Sequence, residues 1–130
     1  LIETQYVYVM HPFSGELPNL DKAREWCAFL SAHFDVFASA PWIPLCKHWP
    51  NNGLSLLHGI ELDKLAIRRA DSCIAVGGKF STGMQLERGY AEEIGKLVYD
   101  ATRFRTPNEL LSDEEAMNAI ASVYGWGPLR

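Results

Sequence analysis

The sequence predicts an α/β fold: a three-layer, Rossmann-like (flavodoxin-like) arrangement around a mainly parallel sheet of four to five strands. Three observations predict it. Short runs of β-branched and aromatic residues alternate with helical segments from one end of the chain to the other. The Pro- and Gly-bearing breakers fall directly after the strand-like runs, so the unusual residues collect where strands end. The chain has 130 residues, 48% of them hydrophobic, which suits one globular domain with a real core.

The elements follow in order. Gln5 to Met10 (QYVYVM) reads as the first strand, followed by a loop over residues 11–20 with Pro12, Gly15 and Pro18 as breakers. Asn19 or Asp21 is the expected cap of a helix to His33, whose apolar face carries Ala23, Trp26, Cys27 and Leu30. Residues 35–39 (DVFAS) form a second strand. Residues 40–54 read as irregular, with Pro41, Pro44, Pro50, the aromatic Trp42 and Trp49, His48 and the turn signal Asn51-Asn52-Gly53. A helix is expected over 54–70, a strand over 72–77, a helix over 84–95 and a short strand over 97–100. Ser112-Asp-Glu-Glu115 has the form of a capping box opening a last helix to Tyr124. No internal repeat, low-complexity segment or linker divides the chain, so residues 1–130 read as one domain.

Composition excludes several classes. A net charge of -4 gives no electrostatic reason to bind a nucleic acid polymer, while small anions remain possible at local N–H clusters. Cys27, Cys46 and Cys73 are widely spaced and odd in number, against a disulfide framework and in favour of a cytoplasmic setting. No apolar run is long enough for a membrane span and none reads as a leader; the opening on Leu1 is expected to reflect processing or trimming. His11, His33, His48 and His58 lack metal-ligand spacing, so no metal is expected. The G-x-S-x-G, G-x-G-x-x-G and G-x-x-x-x-G-K-[ST] patterns are all missing.

Two acids stand out. At about 100° per residue, Met84, Glu87, Tyr90, Ala91 and Ile94 share one helical face. Asp63 likewise falls among Leu56, Ile60, Ile67 and Ala70. Acids on core-facing stripes cost stability unless paired or used. Glu87 therefore reads either as a nucleophile or acid–base group, or as a first-turn glutamate complementing the helix dipole. Asp63 either pairs with Arg68, Arg69 or a neighbouring segment, or faces a ligand. Asp71 reads as a turn-fixing residue. Thr82-Gly83-Met84-Gln85 matches a capping box, and the same helix end can accept a phosphate. In such folds ligands sit beyond the carboxyl ends of the strands, here the loops 11–20, 40–53 and 77–83. Trp42 and Trp49 are core or loop-packing residues, or a stacking platform for a planar ring.

The motif Ser81-x-Gly83-x-x-x-Glu87-x-Gly89-x-Ala91 with Gly95-Lys96 follows the strand Cys73-Ile-Ala-Val76. Before it come Tyr8 in the opening strand, the Gly15 loop, and Asp63 eight residues ahead of Asp71. Over residues 6–99 this pattern resembles the nucleoside 2-deoxyribosyltransferase superfamily, which includes 2′-deoxynucleoside 5′-monophosphate N-glycosidases. The resemblance implies a catalytic set of Glu87 as nucleophile at the sugar's anomeric carbon, Asp63 as acid to the leaving base, and Tyr8 orienting Glu87. It implies substrate contacts from Ser81, Gly83 and Met84, and from His11, Phe13 and Gly15. Serine at 81, where relatives acting on free nucleosides tend to carry an acid, points to a 5′-phosphorylated substrate. It implies no cofactor, and a homodimer or larger homo-oligomer. The bulky opening loop and the Trp42–Trp49 loop depart from the family pattern, and its C-terminal subunit-shared residues have no recognisable match in residues 101–130. Three expectations result: cleavage of an N-glycosidic bond, nucleotide binding without turnover, or an interaction domain using the aromatic loop.

Overall fold

A computed structural model describes residues 4–46, 53 and 55–125. The expectations for His48, Trp49, Pro50, Asn51, Asn52 and a helix start at Leu54 lie outside the described residues. The chain runs β1 (Gln5–Met10), α1 (Pro18–His33), β2 (Val36–Ser39), α2 (Ile43–Cys46) and α3 (Leu56–Arg69). It continues β3 (Ser72–Ala75), α4 (Thr82–Glu93), β4 (Val98–Asp100), α5 (Pro107–Leu111) and α6 (Glu114–Tyr124).

The four strands form one sheet in the order β2-β1-β3-β4, and every pairing is parallel. The fold is thus α/β and Rossmann-like in three layers. The inner strands are covered on both faces, as a parallel sheet requires: Val7 to Met10 and Cys73 to Val76 are buried without a break. From β1 the chain passes first to β2 on one side, then to β3 on the other. The switch point therefore falls between the carboxyl ends of β1 and β3, where ligands bind in such sheets.

Pleat and register assign the layers. Val7 and Ser72 are register partners and share a face, and the Ser72 hydroxyl donates to Tyr124 Oη of α6. On that side α1 buries Leu20, Ala23, Trp26 and Leu30 and packs on β1, β2 and α5. Tyr8 points to the other face, where α3 and α4 pack against each other. Asp71 has the turn-fixing role: its Oδ2 accepts the Tyr6 N–H at 2.7 Å and its own N–H donates to Tyr6 O, binding the α3–β3 turn to β1.

Several local expectations need correction. Neither Asn19 nor Asp21 caps α1. Pro18 opens it, needing no N–H partner at a first-turn position. Asn19 Nδ2 instead donates to Phe13 O and closes the opening loop, while Asp21 pairs with the exposed Arg24. The box at α4 begins one residue earlier than read. Ser81 is the cap, its Oγ accepting the Met84 N–H, and the Met84 sulfur takes the place expected for Gln85. Ser112 does not cap α6; Asp113 does, through Ala116 N–H. Ser112 closes α5, a short helix that the sequence reading left out, although Thr106 and Glu109 form a capping box for it. Competing Ser, Thr and Asp residues within two positions of each other make the cap a tertiary decision.

Candidate functional site

The site begins at Tyr8, fully buried in the central strand. Its hydroxyl donates to Glu87 Oε2 at 2.5 Å. Glu87 lies in the second turn of α4, on the buried stripe with Met84 and Ala91, and is 7% exposed. The stripe is as the wheel predicts, except that Tyr90 is half-buried and Ile94 is exposed beyond the helix end. Asp63 projects from α3, and because α3 and α4 pack on each other its carboxyl lies beside that of Glu87, close enough for each to shift the other. Arg68 and Arg69 stay exposed, so Asp63 pairs with another acid and not with arginine.

Two neighbouring carboxyls can hydrogen-bond to each other only when one of them holds a proton. Burial pushes the Glu87 carboxyl well above the usual range, and the Asp63 charge adds to that, while the Tyr8 hydroxyl opposes it. Burial also raises Asp63, to about 6, with the bond to Glu87 pulling it back. The proton belongs to the pair. Burial and both carboxylates hold the Tyr8 phenol well above its ordinary value, so it remains a donor.

Both acids line a cavity of about 450 Å³. This volume falls in the range of small-molecule sites. Three loop regions line it, the same three that follow β1, β2 and β3. The β1 loop supplies His11, Phe13, Ser14 and Gly15. Ser14 and Gly15 both have positive φ, 51° and 74°, which turns the chain sharply at the cavity rim. The start of α4 supplies Ser81, Thr82, Gly83 and Met84. The Thr82 and Gly83 N–H groups sit in the first helical turn, where no intrahelical acceptor exists. The Ser81 hydroxyl accepts from Met84 and keeps its own O–H to donate. Every residue expected to contact substrate (Ser81, Gly83, Met84, His11, Phe13, Gly15) therefore lines this cavity, with Asp63 and Glu87. Tyr8 lies behind Glu87.

His11, buried, lines the same cavity. Its Nδ1 is 2.7 Å from Pro12 O, which places the ring proton there. Nε2 is then a bare acceptor, buried and without a partner among the described residues. Burial lowers the His11 pKa, so the ring is neutral. The imidazole rests on Gly77, whose φ is 105° and where a Cβ would lie 2.6 Å from His11 Cδ2.

Sequence reading expected the 40–53 loop at this edge and Trp42 as a possible stacking residue, but not a helix there, nor Leu45 and Cys46. Within the stretch read as irregular, α2 forms, and Trp42, Leu45 and Cys46 face the cavity, joined by Ser55, Gly59 and Ile60 of the α3 region. The aromatic loop was the available signal, but a helix of four residues leaves too short a periodic pattern to read. Among the described residues no cluster of three His, Cys, Asp or Glu side chains is arranged for a metal, and no helix is long and apolar enough to cross a membrane.

Fold and site together define a Rossmann-like α/β protein with a buried carboxyl pair under a cavity at the switch point. Comparison with protein families, curated proteins and solved structures gave no match.

Proposed function

We propose that this chain cleaves the N-glycosidic bond of a deoxynucleoside 5′-monophosphate or related nucleotide, by hydrolysis or base transfer. The observation that carries the reading is the buried triad itself: Tyr8 Oη donating to Glu87, with Asp63 beside Glu87 in the same cavity lining, next to the open start of α4. The resemblance in sequence motif supports it independently.

The chemistry follows from the groups present. A sugar entering the cavity needs its two flanking carboxyls about 5 Å apart if one is to act as nucleophile. Entry therefore parts the two carboxyls, and the shared proton must settle on one side. The Tyr8 O–H favours charge on Glu87 against the burial that raises it, and the proposed reaction proceeds from the form with the proton on Asp63. Asp63 is then the acid for the departing base, and Glu87 the carboxylate that attacks the anomeric carbon. The bond from that carbon to the base nitrogen breaks, the base leaves with the Asp63 proton, and a glycosyl–Glu87 ester forms. Water, deprotonated by Asp63, hydrolyses the ester; a second base in place of water completes transfer. Thr82 and Gly83 N–H groups and the Ser81 hydroxyl suit a phosphate at the far end of the sugar.

The test is chromatography for free base after incubation with a panel of 2′-deoxynucleoside 5′-monophosphates. Base release that disappears in Glu87→Gln sustains the proposal; equal release by the variant ends it. A second reading, nucleotide binding without turnover, draws on one observation: burial holds a proton on the pair, and a protonated Glu87 cannot attack. It gains if the same nucleotides raise the melting temperature while no base is released.

A further inference from the structure

The two edges of the sheet are finished differently. At the β2 edge the outward N–H groups are taken up by the chain itself: Val36 N–H donates to Phe34 O at 2.8 Å and Ala38 N–H to Ser31 Oγ at 2.9 Å. At the β4 edge they are not. Cys73 N–H donates to Leu97 O and Ala101 N–H to Ala75 O. Residues 97, 99 and 101 therefore face β3, and residues 98 and 100 face away from it. The Val98 and Asp100 N–H groups have no partner among the described residues. An edge left in this state is a template for another strand. We propose that two copies of this chain join here, β4 to β4, antiparallel about a two-fold axis at Tyr99, into one continuous sheet. The inference stands apart from the proposed reaction, which uses no group at this edge.

The edge complements itself. In an antiparallel pair, opposed hydrogen-bonded residues exchange both of their bonds. An axis at Tyr99 sets Val98 of each copy against Asp100 of the other, which uses all the open groups of β4. It also keeps the two Asp100 carboxylates from facing each other, an arrangement that destabilises a strand pair. Tyr99 meets its own copy in the close, non-hydrogen-bonded position, where aromatic pairs stabilise a sheet. The Asp100 side chain is turned back along the chain, its Oδ1 accepting the Thr102 N–H and hydroxyl. The helix above adds charge complementarity. α4 packs on β4, with Arg88 near enough to act on the Asp100 charge and paired with Glu92 at 3.6 Å. The two-fold axis runs α4 antiparallel to its copy and brings Arg88 of each toward Glu92 of the other. Leu97 and Ile94, 51% and 37% exposed beside the strand, supply apolar surface. The described chain ends lie at the opposite edge: Thr4 Oγ1 donates to Asp35 Oδ1, and a Cβ on Gly125 would lie 3.9 Å from Asp35 Cβ, one residue before β2.

The experiment is sedimentation velocity of the full chain from about 1 µM to about 1 mM, with hydrogen exchange at the Val98 and Asp100 amides read where each form prevails. A monomer–dimer equilibrium is expected, with both amides exchanging about tenfold or more slowly in the dimer. Val98→Pro is expected to weaken the dimer by about tenfold or more. It removes an N–H from the outer edge and none bonded to β3, and proline is tolerated at the first residue of a strand. Tyr99→Cys is expected to cross-link two copies under mild oxidation, because opposed Cα atoms at that position lie about 4.5 Å apart, within disulfide reach. Phe37→Cys, 61% exposed on the β2 edge, is expected not to. A chain that is monomeric at every concentration overturns the inference. So does a dimer whose two amides exchange as fast as in the monomer, a folded Val98→Pro that pairs as tightly as the parent, or equal cross-linking at positions 99 and 37. The exchange measurement uses the unaltered chain and decides the matter where a variant fails to fold.

Discussion

The Tyr8 hydroxyl donates to Glu87 Oε2 across a gap of 79 positions in the chain, and does so inside the core. A buried phenol held as a donor favours charge on the carboxyl it touches. In the proposed reaction this bond favours charge on Glu87 and works against the burial that raises its carboxyl, leaving Asp63 to serve as the acid. Tyr8 is thus a positioning residue in the proposed reaction.

Tyr8→Phe tests that role. Phenylalanine fits the same space but leaves the Glu87 oxygen without its donor. Turnover is expected to fall by about a hundredfold, with the acid limb of the pH–rate profile displaced to higher pH. A merely structural tyrosine would lower the folded fraction and leave the limb in place, so the profile separates the two.

The pair predicts a bell-shaped dependence of kcat/KM on pH. With both carboxyls protonated there is no nucleophile; with both ionised there is no acid. Asp63 is raised to about 6 and Glu87 is raised well above the usual range. The rise is expected near pH 6 and the fall at higher pH, both belonging to the pair. Rates measured from pH 5 to 9 that show no fall on the alkaline side would count against Asp63 as acid.

The same shifts make a stability prediction of definite sign. Folded-state values raised above the unfolded ones mean that the fold binds protons more tightly. The stability from this source is full below the ordinary carboxyl range of about 4 and is lost as pH rises through the raised values. Melting temperature is therefore expected to decline from pH 5 to pH 8. Glu87→Gln keeps that position neutral and still accepts from Tyr8. It is expected to flatten the decline and to gain on the order of 1–3 kcal/mol at pH 8, at the expense of activity. Thermal melts of both proteins at the two pH values decide it; a variant with an unchanged slope would refute the shared-proton account.

Two glycines separate backbone need from cavity need. Gly77 has φ 105° and a Cβ there meets His11 Cδ2 at 2.6 Å and Pro12 Cδ at 2.7 Å. Gly77→Ala is expected to cost about 2–4 kcal/mol and to displace the His11–Pro12 rim. At Gly83 a Cβ meets nothing within 4 Å, and the position is helical. Gly83→Ala is expected to leave folding intact or improve it by up to about 1 kcal/mol, while raising KM because the methyl group enters the cavity. Denaturant melts and initial rates on the two variants check both halves.

Ser81 caps α4 and, in the proposed reaction, meets the phosphate. Ser81→Asp can still cap but brings like charge to a phosphate. It is expected to melt like the parent and to raise KM for a 5′-monophosphate by about 10–100-fold, with a smaller effect on the matching nucleoside. Equal effects on the two substrates would remove the phosphate from this end of the cavity.

How much of this was legible in the sequence varies with the range of the interaction. The strands β1 and β3 and the apolar faces of α1 and α4 follow from local periodicity, and the structure has them within a few residues of the expected bounds. Caps were less legible, because Ser81 and Thr82, or Ser112 and Asp113, are chemically near-equal candidates one residue apart. The α2 wall was the least legible part of the site, since Trp42, Leu45 and Cys46 belong to no long repeat. Trp42 is held by a bond to Val9 O, 33 positions away, which no local pattern encodes.

The sequence by itself determined that strands and helices alternate and that Glu87 and Asp63 each sit on an apolar stripe, because both facts are set by spacing within one element. Only the tertiary structure decided that these two acids face each other, that Tyr8 marks one of them, and that an indole lines the same cavity. The physical reason is topological. The order β2-β1-β3-β4 and the packing of α3 on α4 bring together residues far apart in the chain, and burial then gives that meeting its chemistry by raising both carboxyls above their ordinary range.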